Sequence, residues 1–486
     1  MADDLRHHAF LLPRTTSYNG ETIPFAYPPL GFYLVAGLSQ VLRLDPVAVI
    51  RWVPALLATA SVMAFYLMAA EFLRSKWRGL AAASAFALLP RSYLWLIVGG
   101  GITRALGMLL ALLALQQGLR MLRTDRSYFV ATTGMLGGLT LLAHPQAAVF
   151  LAISLITVVA FHVSRGNLKG PVIKLATAAA VGVLIASPWL VAVVSAHGFG
   201  PLLSAGRTAA DPTVGASMAL SLSFADVGVL DVLTALGVVG VILRIARRQW
   251  LVPTWLLLTI LIDPRAGATY ATVPLALSTV PVLGKLLAHA TPTRHHAHEL
   301  DSQSFPSMVR AHPGSALFLA LLLFVSLRTA SRASIDPASP LSGLTQDQAS
   351  AMVWVATHTG PTTTFAVVTN STWERDYISE WFPVIAERRS TATVQGSEWT
   401  GIEAFVRRLG MYRQLQDCAD QTAMCLADWA QRWKSVGLWV FLPKGQLAGP
   451  SSPDDCCPAL RATLSSSPDY RLAYDAPGGT IFAPAH

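Results

Sequence analysis

Ten apolar runs separated by short loops constrain the fold of this chain more than any other feature of its sequence. A helix needs about 20 apolar residues to cross a bilayer, so such runs predict membrane-spanning helices. Several are shorter than that, and the signal is weakest in the eighth and tenth runs. The runs cover residues 46–73, 79–98, 104–121, 127–143, 145–163, 171–195, 226–245, 250–262, 267–289 and 315–327. The sequence therefore predicts an α-helical polytopic membrane protein with about ten transmembrane helices.

The last part of the chain has the composition of an ordinary soluble domain. The chain as a whole has only 13% charged residues, against about 25% in soluble proteins, and the shortage lies in the apolar part. Thr345 is placed to cap a helix, and two further helices are expected at 402–415 and 422–434. Buried strands are expected at 365–369, 438–442, 470–474 and 480–483. We expect an outer loop with a juxtamembrane helix at 1–45, a transmembrane helical domain at 46–330 and a C-terminal α/β or α+β domain at 344–486.

Lysine and arginine are concentrated in alternate loops. The other set of loops holds only Arg207 and Arg265, with Arg104 at one edge. Such asymmetry over short loops indicates that the basic loops are cytoplasmic. It also accounts for the net charge of +9 without a nucleic-acid partner. The basic loops carry Arg74, Lys76, Arg78, Arg120, Arg123, Arg126, Arg165, Lys169, Lys174, Arg244, Arg247, Arg248, Lys285, Arg294 and Arg310.

With ten spans, the amino-terminal segment and the C-terminal domain both lie outside the cell. The sequence thus predicts a multi-pass plasma-membrane protein with an extracytoplasmic C-terminal domain. Because the amino end would have to cross without a preceding span, we expect a further helix upstream of Met1.

All four cysteines fall in the C-terminal domain and none in the apolar runs. An oxidising exterior favours disulfides, and Cys418–Cys425 is the local pairing, with Cys456 or Cys457 pairing elsewhere. Cross-pairing between the two clusters is equally allowed, because four cysteines permit three connectivities. A metal site is less favoured, since the adjacent Cys456 and Cys457 have poor chelating geometry.

A proline-rich segment precedes the first span. Residues 17–38 are polar at first and then run through Tyr27, Pro28 and Pro29 into an apolar stretch. Proline is well tolerated in the first helical turn, so a helix is predicted to start at Pro29. Its apolar run over 30–42 is too short to cross a bilayer, which predicts a helix on or in the membrane surface.

Acidic residues are few on the outer face, and the densest group is Asp3 and Asp4, followed by His7 and His8. Two carboxylates near imidazoles can bind a hard divalent cation or serve as a general base. The alternative is a frayed polar terminus. The other outer acids are Glu21, Asp211, Asp226 and Asp263. A second group of His295, His296, His298 and Glu299 fits no zinc spacing, so we interpret it as part of a solvated cytoplasmic loop.

Four arginines depart from the inward preference for positive charge. They are Arg51, Arg91, Arg104 and Arg265, at or near the outer ends of their spans. A charge within a span costs about 2.5–3.5 kcal/mol on insertion scales and indicates a functional site. Guanidinium groups at this depth suit the phosphate or diphosphate of a lipid-linked substrate.

Two of these arginines, and also His144, have explanations that require no bound substrate. Arg51 and Arg104 could instead extend to the interface. His144 lies in a polar turn that can line the same cavity or merely end a helix.

The segment YPPLGFYLVAGL, followed by LDPVAVIRWVPALLATASVMAFYLMAAEFL and basic residues, resembles the GT-C superfamily of membrane glycosyltransferases. The likeness is greatest to bacterial protein-mannosyltransferase and aminoarabinose-transferase types and covers roughly residues 3–143. RAGATYATVPLALS, with Arg265 and Tyr270, resembles a later helix of that family. The resemblance implies sugar transfer from a polyprenyl-phosphate donor to an extracytoplasmic acceptor by inverting displacement.

The resemblance also implies site residues. The family's acid in the first outer loop falls on Asp3 or Asp4, and Tyr27, Pro28 and Pro29 form the positioning element. The chain departs from the family in two ways: it lacks the helix that normally precedes this acid, and its outer loop 99–104 has no carboxylate.

The C-terminal domain holds aromatic residues beside carboxylates. These groups are Trp373-Glu374, Glu380-Trp381-Phe382-Pro383 and Glu398-Trp399. Such groups can bind a sugar, or they can form the core or dock against the membrane helices.

Three functions therefore remain open. The first is a glycosyltransferase with an outward cavity joining Asp3 or Asp4 to Arg91 and Arg265. The second is a non-catalytic envelope protein that binds lipid or glycan. A transporter is the third and least favoured, because the sequence shows no internal repeat.

Overall fold

A computed structural model describes residues 1–162, 169–208, 231–263, 266–289, 313–335, 341, 343–445 and 455–485. Membrane helices make up the first part of the chain, and a domain built on a five-stranded sheet follows them. The predicted class, a polytopic helical membrane protein with an appended α/β or α+β domain, is confirmed.

The helices before residue 336 follow the predicted apolar runs closely. The runs at 46–73, 127–143 and 267–289 coincide with helices at both ends. The helices are Ala2–His7, Leu30–Leu42, Pro46–Leu73, Lys76–Leu88, Leu94–Ile97, Ile102–Arg123, Ser127–Ala143, Pro145–His162, Lys169–His197, Gly200–Arg207, Val232–Ala246, Leu251–Ile262, Gly267–His289 and Pro313–Ile335.

Among the described residues, four helices are long and apolar enough to cross a membrane by themselves. They are Pro46–Leu73, Ile102–Arg123, Lys169–His197 and the apolar part of the last helix, Ala316–Ile335. A fifth span is formed if the bent pair Lys76–Leu88 and Pro90–Ile97 is counted as one. Several of the remaining predicted spans are shorter apolar helices.

The run predicted as one span over 79–98 is broken, which corrects the expectation of a continuous helix. Lys76–Leu88 ends before Pro90, and the following segment, Pro90–Ile97, is bent by 88° relative to it. Proline disfavours helical backbone in the residue before it, and Leu89 is extended with φ −80° and ψ 111°. Arg91 therefore sits in a short 3₁₀ turn, Pro90–Ser92, rather than inside a straight helix.

Small residues let the membrane helices approach closely. A side chain at Gly138 would place its Cβ 2.6 Å from the Gly182 carbonyl oxygen of the neighbouring helix. Gly134 and Gly138 thus form the small-residue contact with Lys169–His197 that is typical of helix packing in lipid. Trp255 adds a buried hydrogen bond between helices, since its indole nitrogen donates to the Ser154 hydroxyl over 2.9 Å.

The C-terminal domain contains a mixed sheet of five strands, β3 (Thr364–Val367), β4 (Arg389–Ser390), β5 (Trp439–Pro443), β6 (Tyr470–Ala476) and β7 (Gly479–Pro484). Their order across the sheet is β4-β3-β5-β7-β6. β3 runs parallel to β4 and β5, whereas β7 is antiparallel to β5 and β6. The helices are Gln346–His358, Tyr377–Ile385, Ile402–Gln416, Ala423–Arg432 and Pro458–Ser466. Four strands overlap the predicted ones; β4, Tyr377–Ile385 and Pro458–Ser466 were not predicted.

The amino-terminal segment binds the C-terminal domain directly. Its two short strands, β1 (Thr15–Thr16) and β2 (Ile23–Pro24), pair with each other, and a 3₁₀ turn lies between them. Within that turn Asn19 makes two hydrogen bonds with the backbone of Ser390, of 2.9 and 2.8 Å. Glu21 pairs with Arg408 over 2.7 Å. These contacts place both segments on one side of the membrane.

The cysteines form two disulfides. Cys418 is joined to Cys425, with their Cα atoms 5.6 Å apart. Cys456 is joined to Cys457, which corrects the expectation that one of this pair would bond elsewhere. Both sulfur atoms of the adjacent pair are buried near the Val368 carbonyl oxygen, and Cys457 has a left-handed backbone conformation.

Candidate functional site

Tyr27 is the centre of a polar cluster at the end of the membrane helices that lies against the C-terminal domain. Its hydroxyl lies 2.8 Å from Nδ1 of His144 and 3.2 Å from the Thr103 hydroxyl. The two prolines that follow Tyr27 are buried. The extended chain ends at them, and the helix Leu30–Leu42 begins directly afterwards. Gly31 then allows close contact, since an added Cβ there would lie 2.7 Å from Cγ2 of Thr103. Local sequence thus fixes where the hydroxyl points.

Hydrogen bonds continue from His144 to a third part of the chain. His144 is buried in the turn between two helices, and its Nε2 lies 3.2 Å from Oε1 of Gln146. The Gln146 amide donates to the Asp263 carboxylate over 3.1 Å, and that carboxylate also accepts the backbone N–H of Ala266. Three segments distant in sequence are therefore joined at one point, at the end of the helices nearest the C-terminal domain.

Two arginines flank this cluster and share one aromatic ring. The guanidinium carbon of Arg91 lies 5.3 Å from the ring centre of Trp95, and that of Arg104 lies 4.8 Å from it. Arg91 is buried and donates from Nε to the Thr269 hydroxyl over 3.2 Å. Arg104 also donates to the Val98 carbonyl oxygen. Stacking on Trp95 holds both cations in place and leaves them suited to an anionic group.

The C-terminal domain covers this cluster. The ring of Trp399 packs edge-on against Tyr27, with centroids 5.4 Å apart. Trp381 approaches the glycine loop: a Cβ added at Gly100 would lie 3.6 Å from its ring. Two of the three aromatic groups for which the sequence allowed sugar binding, a core position or docking therefore lie against the rest of the molecule at this cluster.

A carboxylate accompanies Trp381 at this boundary. Glu380 lies in the first turn of Tyr377–Ile385 and interacts with the charge of Arg104. Burial raises the pKa of Glu380 to about 7; Arg104 lowers it, and Glu398 and Asp376 raise it further. Glu380 is therefore near the midpoint of its titration at neutral pH.

Asp3 and Asp4 occupy different environments. Asp3 is exposed on the helix Ala2–His7, where it pairs with Arg6 over 3.4 Å. Asp4 is buried and accepts hydrogen bonds from Thr16 over 2.7 Å and from the Ser17 hydroxyl over 2.6 Å. Burial acts to raise the pKa of Asp4, but the Ser17 bond, the Met1 ammonium and the Thr16 bond outweigh it and lower the pKa to about 2. Asp4 therefore holds the amino-terminal segment together as a carboxylate.

Of the other residues predicted to bind substrate, Tyr270 lies near the cluster, Arg51 does not, and Arg265 is outside the described residues. Tyr270 is buried, stacks on Phe150 with centroids 4.9 Å apart, and lies within electrostatic reach of Asp263, Tyr27 and Arg104. Arg51 is exposed on the helix Pro46–Leu73, and no described contact joins it to the cluster. Arg265, Asp211, Asp226 and the group at 295–299 lie outside the described residues.

The chain resembles known proteins in its three-dimensional structure. It aligns with the archaeal oligosaccharyltransferase AglB from Archaeoglobus fulgidus, in complex with an inhibitory peptide and a dolichol-phosphate, at a TM-score of 0.60 and 15% identity. That alignment covers 90% of this chain and 64% of AglB. ArnT from Cupriavidus metallidurans, bound to undecaprenyl phosphate, aligns at a TM-score of 0.50 and 12% identity over 99% of this chain and 92% of ArnT. No family model and no curated protein sequence matches the chain.

This chain has the GT-C fold. The predicted resemblance is thereby confirmed for the fold. The two alignments include both the membrane helices and the C-terminal domain. The chain spans less than two thirds of the length of AglB.

Sequence reasoning missed several residues that the GT-C fold brings to the cluster. Trp95, Thr103 and Thr269 gave no signal of their own, because their roles depend on the bend at Pro90 and on contacts between distant helices. Asp263 was noticed as an outer acid but not connected to His144. The sequence signal for this connection was Gln146, a polar residue that follows His144 and Pro145 in a turn between two apolar runs.

The sequence left open whether this chain binds a metal ion. Among the described residues, no group of three or more His, Cys, Asp or Glu side chains is arranged to hold a metal ion. A further AglB structure, aligned at a TM-score of 0.52 and 15% identity over 91% of this chain and 62% of AglB, contains Zn and sulfate.

Proposed function

We propose that this chain is an integral membrane glycosyltransferase that moves a sugar from a polyprenyl-phosphate donor to an extracytoplasmic acceptor. The observation that carries the proposal is the placement of Arg91 and Arg104 within 5.3 Å and 4.8 Å of the same Trp95 ring centre, near the hydrogen-bonded series from Tyr27 through His144 and Gln146 to Asp263. The structural neighbours support it, since AglB was solved with a dolichol-phosphate and ArnT with undecaprenyl phosphate.

The arginines would bind the phosphate of the donor. Guanidinium groups form paired hydrogen bonds with phosphate oxygens, and the attraction grows where water is excluded. Arg91 is buried, and Arg104 is partly buried. As the bond between the sugar and the phosphate breaks, negative charge accumulates on the phosphate, so cations fixed there lower the barrier. Arg265, predicted from sequence, is proposed for the same role.

Tyr27, His144 and Tyr270 would line the sugar end of the site. Tyr27 presents a hydroxyl and a ring face between the membrane helices and Trp399. Aromatic faces with a few fixed polar groups are typical of sites that bind sugars. The remaining requirement is a carboxylate that accepts the proton of the acceptor hydroxyl, a role that the family resemblance assigns to Asp3 or Asp4.

The site would face the extracytoplasmic side of the plasma membrane. The basic loops predict which side is cytoplasmic, and Glu71 pairs there with Arg120 and Arg123 at the opposite ends of their helices from Tyr27. Disulfides in the C-terminal domain agree with an oxidising compartment. A divalent cation remains part of the proposal only as a partner of the donor phosphate.

The direct test uses the purified full chain in lipid nanodiscs with undecaprenyl phosphate linked to radiolabelled mannose or aminoarabinose. Release of undecaprenyl phosphate reports donor cleavage, and transfer to a cell-envelope extract reports the acceptor. Cleavage that requires the protein and stops in Arg91→Gln supports the proposal. Binding of undecaprenyl phosphate without cleavage of any donor would instead support the non-catalytic lipid- or glycan-binding protein, for which the acid-free loop 99–103 is the favouring observation.

A further inference from the structure

We infer that Glu380, supplied by the C-terminal domain, is the general base that accepts the proton of the acceptor hydroxyl. The inference rests on the proposed glycosyl transfer and adds a residue that lies far in sequence from the membrane helices. It assigns the C-terminal domain a part in the reaction, beyond covering the site.

The position of Glu380 is fixed by its helix. Asp376 caps Tyr377–Ile385 by accepting the N–H of Ser379 over 2.9 Å. Its second oxygen accepts hydrogen bonds of 2.6 Å from Thr369 and from Tyr412, so the start of the helix is anchored to the domain core. Glu380 is in the first turn of this helix, where the helix dipole favours a carboxylate.

The same turn contacts the amino-terminal segment, and the residue after it approaches the membrane part of the chain. The Tyr18 hydroxyl donates to the backbone carbonyl of Glu380 over 2.7 Å, and the neighbouring Trp381 reaches the loop around Gly100. The Glu380 side chain therefore lies at the boundary between the two parts, within electrostatic range of Arg104. In the described part of the chain its carboxylate accepts no hydrogen bond, unlike that of Asp4, and it is partly exposed.

The charges around Glu380 come from three elements. Arg104, from the membrane helix, favours the ionised carboxylate, whereas Glu398 and Asp376, from its own domain, disfavour it. Tyr18, from the amino-terminal segment, faces the same carboxylate. The balance leaves a carboxylate that both accepts and releases a proton near neutral pH, as a general base must.

The step balances without another reagent. The oxygen of the acceptor hydroxyl attacks the anomeric carbon, and its proton passes to the Glu380 carboxylate. The bond between that carbon and the donor phosphate oxygen breaks, and its electron pair leaves with polyprenyl phosphate beside Arg91 and Arg104. Glu380 then releases the proton to solvent. The outer loop 99–103 needs no acid of its own in this arrangement.

The experiment compares the full-length wild type with Glu380→Gln, Glu380→Asp and Glu403→Gln. Glu403 is an exposed glutamate in the first turn of another helix of the same domain, Ile402–Gln416, and serves as the matched control. Donor cleavage and acceptor transfer are followed from pH 5 to pH 9 with undecaprenyl-phosphate-mannose or undecaprenyl-phosphate-aminoarabinose, whichever the wild type uses. Binding of undecaprenyl phosphate is measured in every variant to show that the site has folded.

We expect kcat of Glu380→Gln to fall about 10²–10⁴-fold while undecaprenyl phosphate binding stays within about twofold of wild type. The wild-type rate should rise with pH through about 7 as Glu380 ionises, and this rise should vanish in Glu380→Gln and return in part in Glu380→Asp.

Two other outcomes distinguish a failure of this inference from a failure of the proposed function. Wild-type transfer with equal kcat and an equal pH profile in Glu380→Gln overturns the role of Glu380 and leaves the proposed function standing. Absence of cleavage by wild type with either donor overturns the proposed function and this inference together.

Discussion

The Tyr27 hydroxyl lies 2.8 Å from Nδ1 of His144, 117 residues away, and so joins the segment before the first long helix to the turn between two later helices. Tyr27 also packs against Trp399 from the C-terminal domain. One side chain thus connects the amino-terminal segment, the membrane helices and the C-terminal domain at the place where the two arginines meet.

Tyr27→Phe should reduce donor cleavage about 10-fold or more with a small loss of stability. The ring contacts remain, but the hydroxyl that holds His144 and Thr103 is removed, which costs about 1 kcal/mol. Steady-state cleavage of the labelled donor checks this. Tyr33→Phe is the control, because its hydroxyl binds only the Phe10 carbonyl oxygen among the described contacts. Equal losses in both variants would show a general packing effect rather than a role in the site.

Arg91→Lys should weaken binding of undecaprenyl phosphate by about 10-fold, although the positive charge is kept. Lysine cannot reproduce the Nε bond to Thr269 together with stacking on Trp95. Isothermal titration or a fluorescent lipid-phosphate assay measures the dissociation constant. Arg126→Gln, exposed on the predicted cytoplasmic side, controls for the loss of a cation elsewhere.

Arg51→Gln tests the sequence-based prediction that Arg51 binds the substrate together with the other arginines. Sequence assigns Arg51 to substrate binding, whereas its exposure predicts a change in the same dissociation constant of less than about twofold. A loss as large as that of Arg91→Lys would restore the sequence-based role.

Asp4→Asn should loosen the amino-terminal segment. Replacing the buried carboxylate weakens the bonds from Thr16 and Ser17, a cost of about 1–3 kcal/mol for charged hydrogen bonds. Because the pKa of Asp4 is lowered to about 2 in the folded chain, this stabilisation is complete above the ordinary value near 4 and is lost as pH falls toward 2.

Protease cleavage within the first 25 residues measures that effect. Asp3→Asn, at an exposed position, should leave the cleavage rate unchanged. If Asp3→Asn instead abolished donor cleavage while Asp4→Asn did not, the acid predicted from the family resemblance would be Asp3 and the role of Glu380 would be in question.

Replacing Cys418 and Cys425 with alanine should destabilise the C-terminal domain by about 2–3 kcal/mol, because this disulfide closes a loop in the unfolded chain. Replacing Cys456 and Cys457 should cost less through chain entropy, since their bond joins adjacent residues and closes almost no loop. Thermal protease resistance of the domain in the full chain measures both midpoints. An equal shift in the two double variants would contradict this explanation.

Apolar periodicity and length were sufficient to predict most helices, because membrane helices satisfy their own backbone hydrogen bonds and depend on local sequence. Ser127–Ala143 and Gly267–His289 were predicted with both ends correct. The break at Leu89 was missed because hydropathy averages over a proline, although Pro90 carried the signal. Short elements such as β4 were missed because their pairing partners lie far away in sequence.

The candidate site was predictable only in part. Arg91 and Arg104 were selected because charges within apolar runs are costly, His144 because it lies in a polar turn between two runs, and Tyr27 and Tyr270 through the family resemblance. The structure brings these residues to one region. The approach of Glu380 and Trp399 depends on docking of the C-terminal domain, which periodicity does not encode. Asp4 was selected for its charge, but its partners, Thr16 and Ser17, become apparent only when the segment folds back on itself.

The most direct test of glycosyl transfer is cleavage of radiolabelled undecaprenyl-phosphate sugars by the purified wild type and by the double variant Arg91→Gln, Arg104→Gln. The account predicts protein-dependent release of undecaprenyl phosphate by the wild type and a loss of at least about 100-fold in the double variant. Equal release by both proteins, or none by the wild type with any donor, would contradict it.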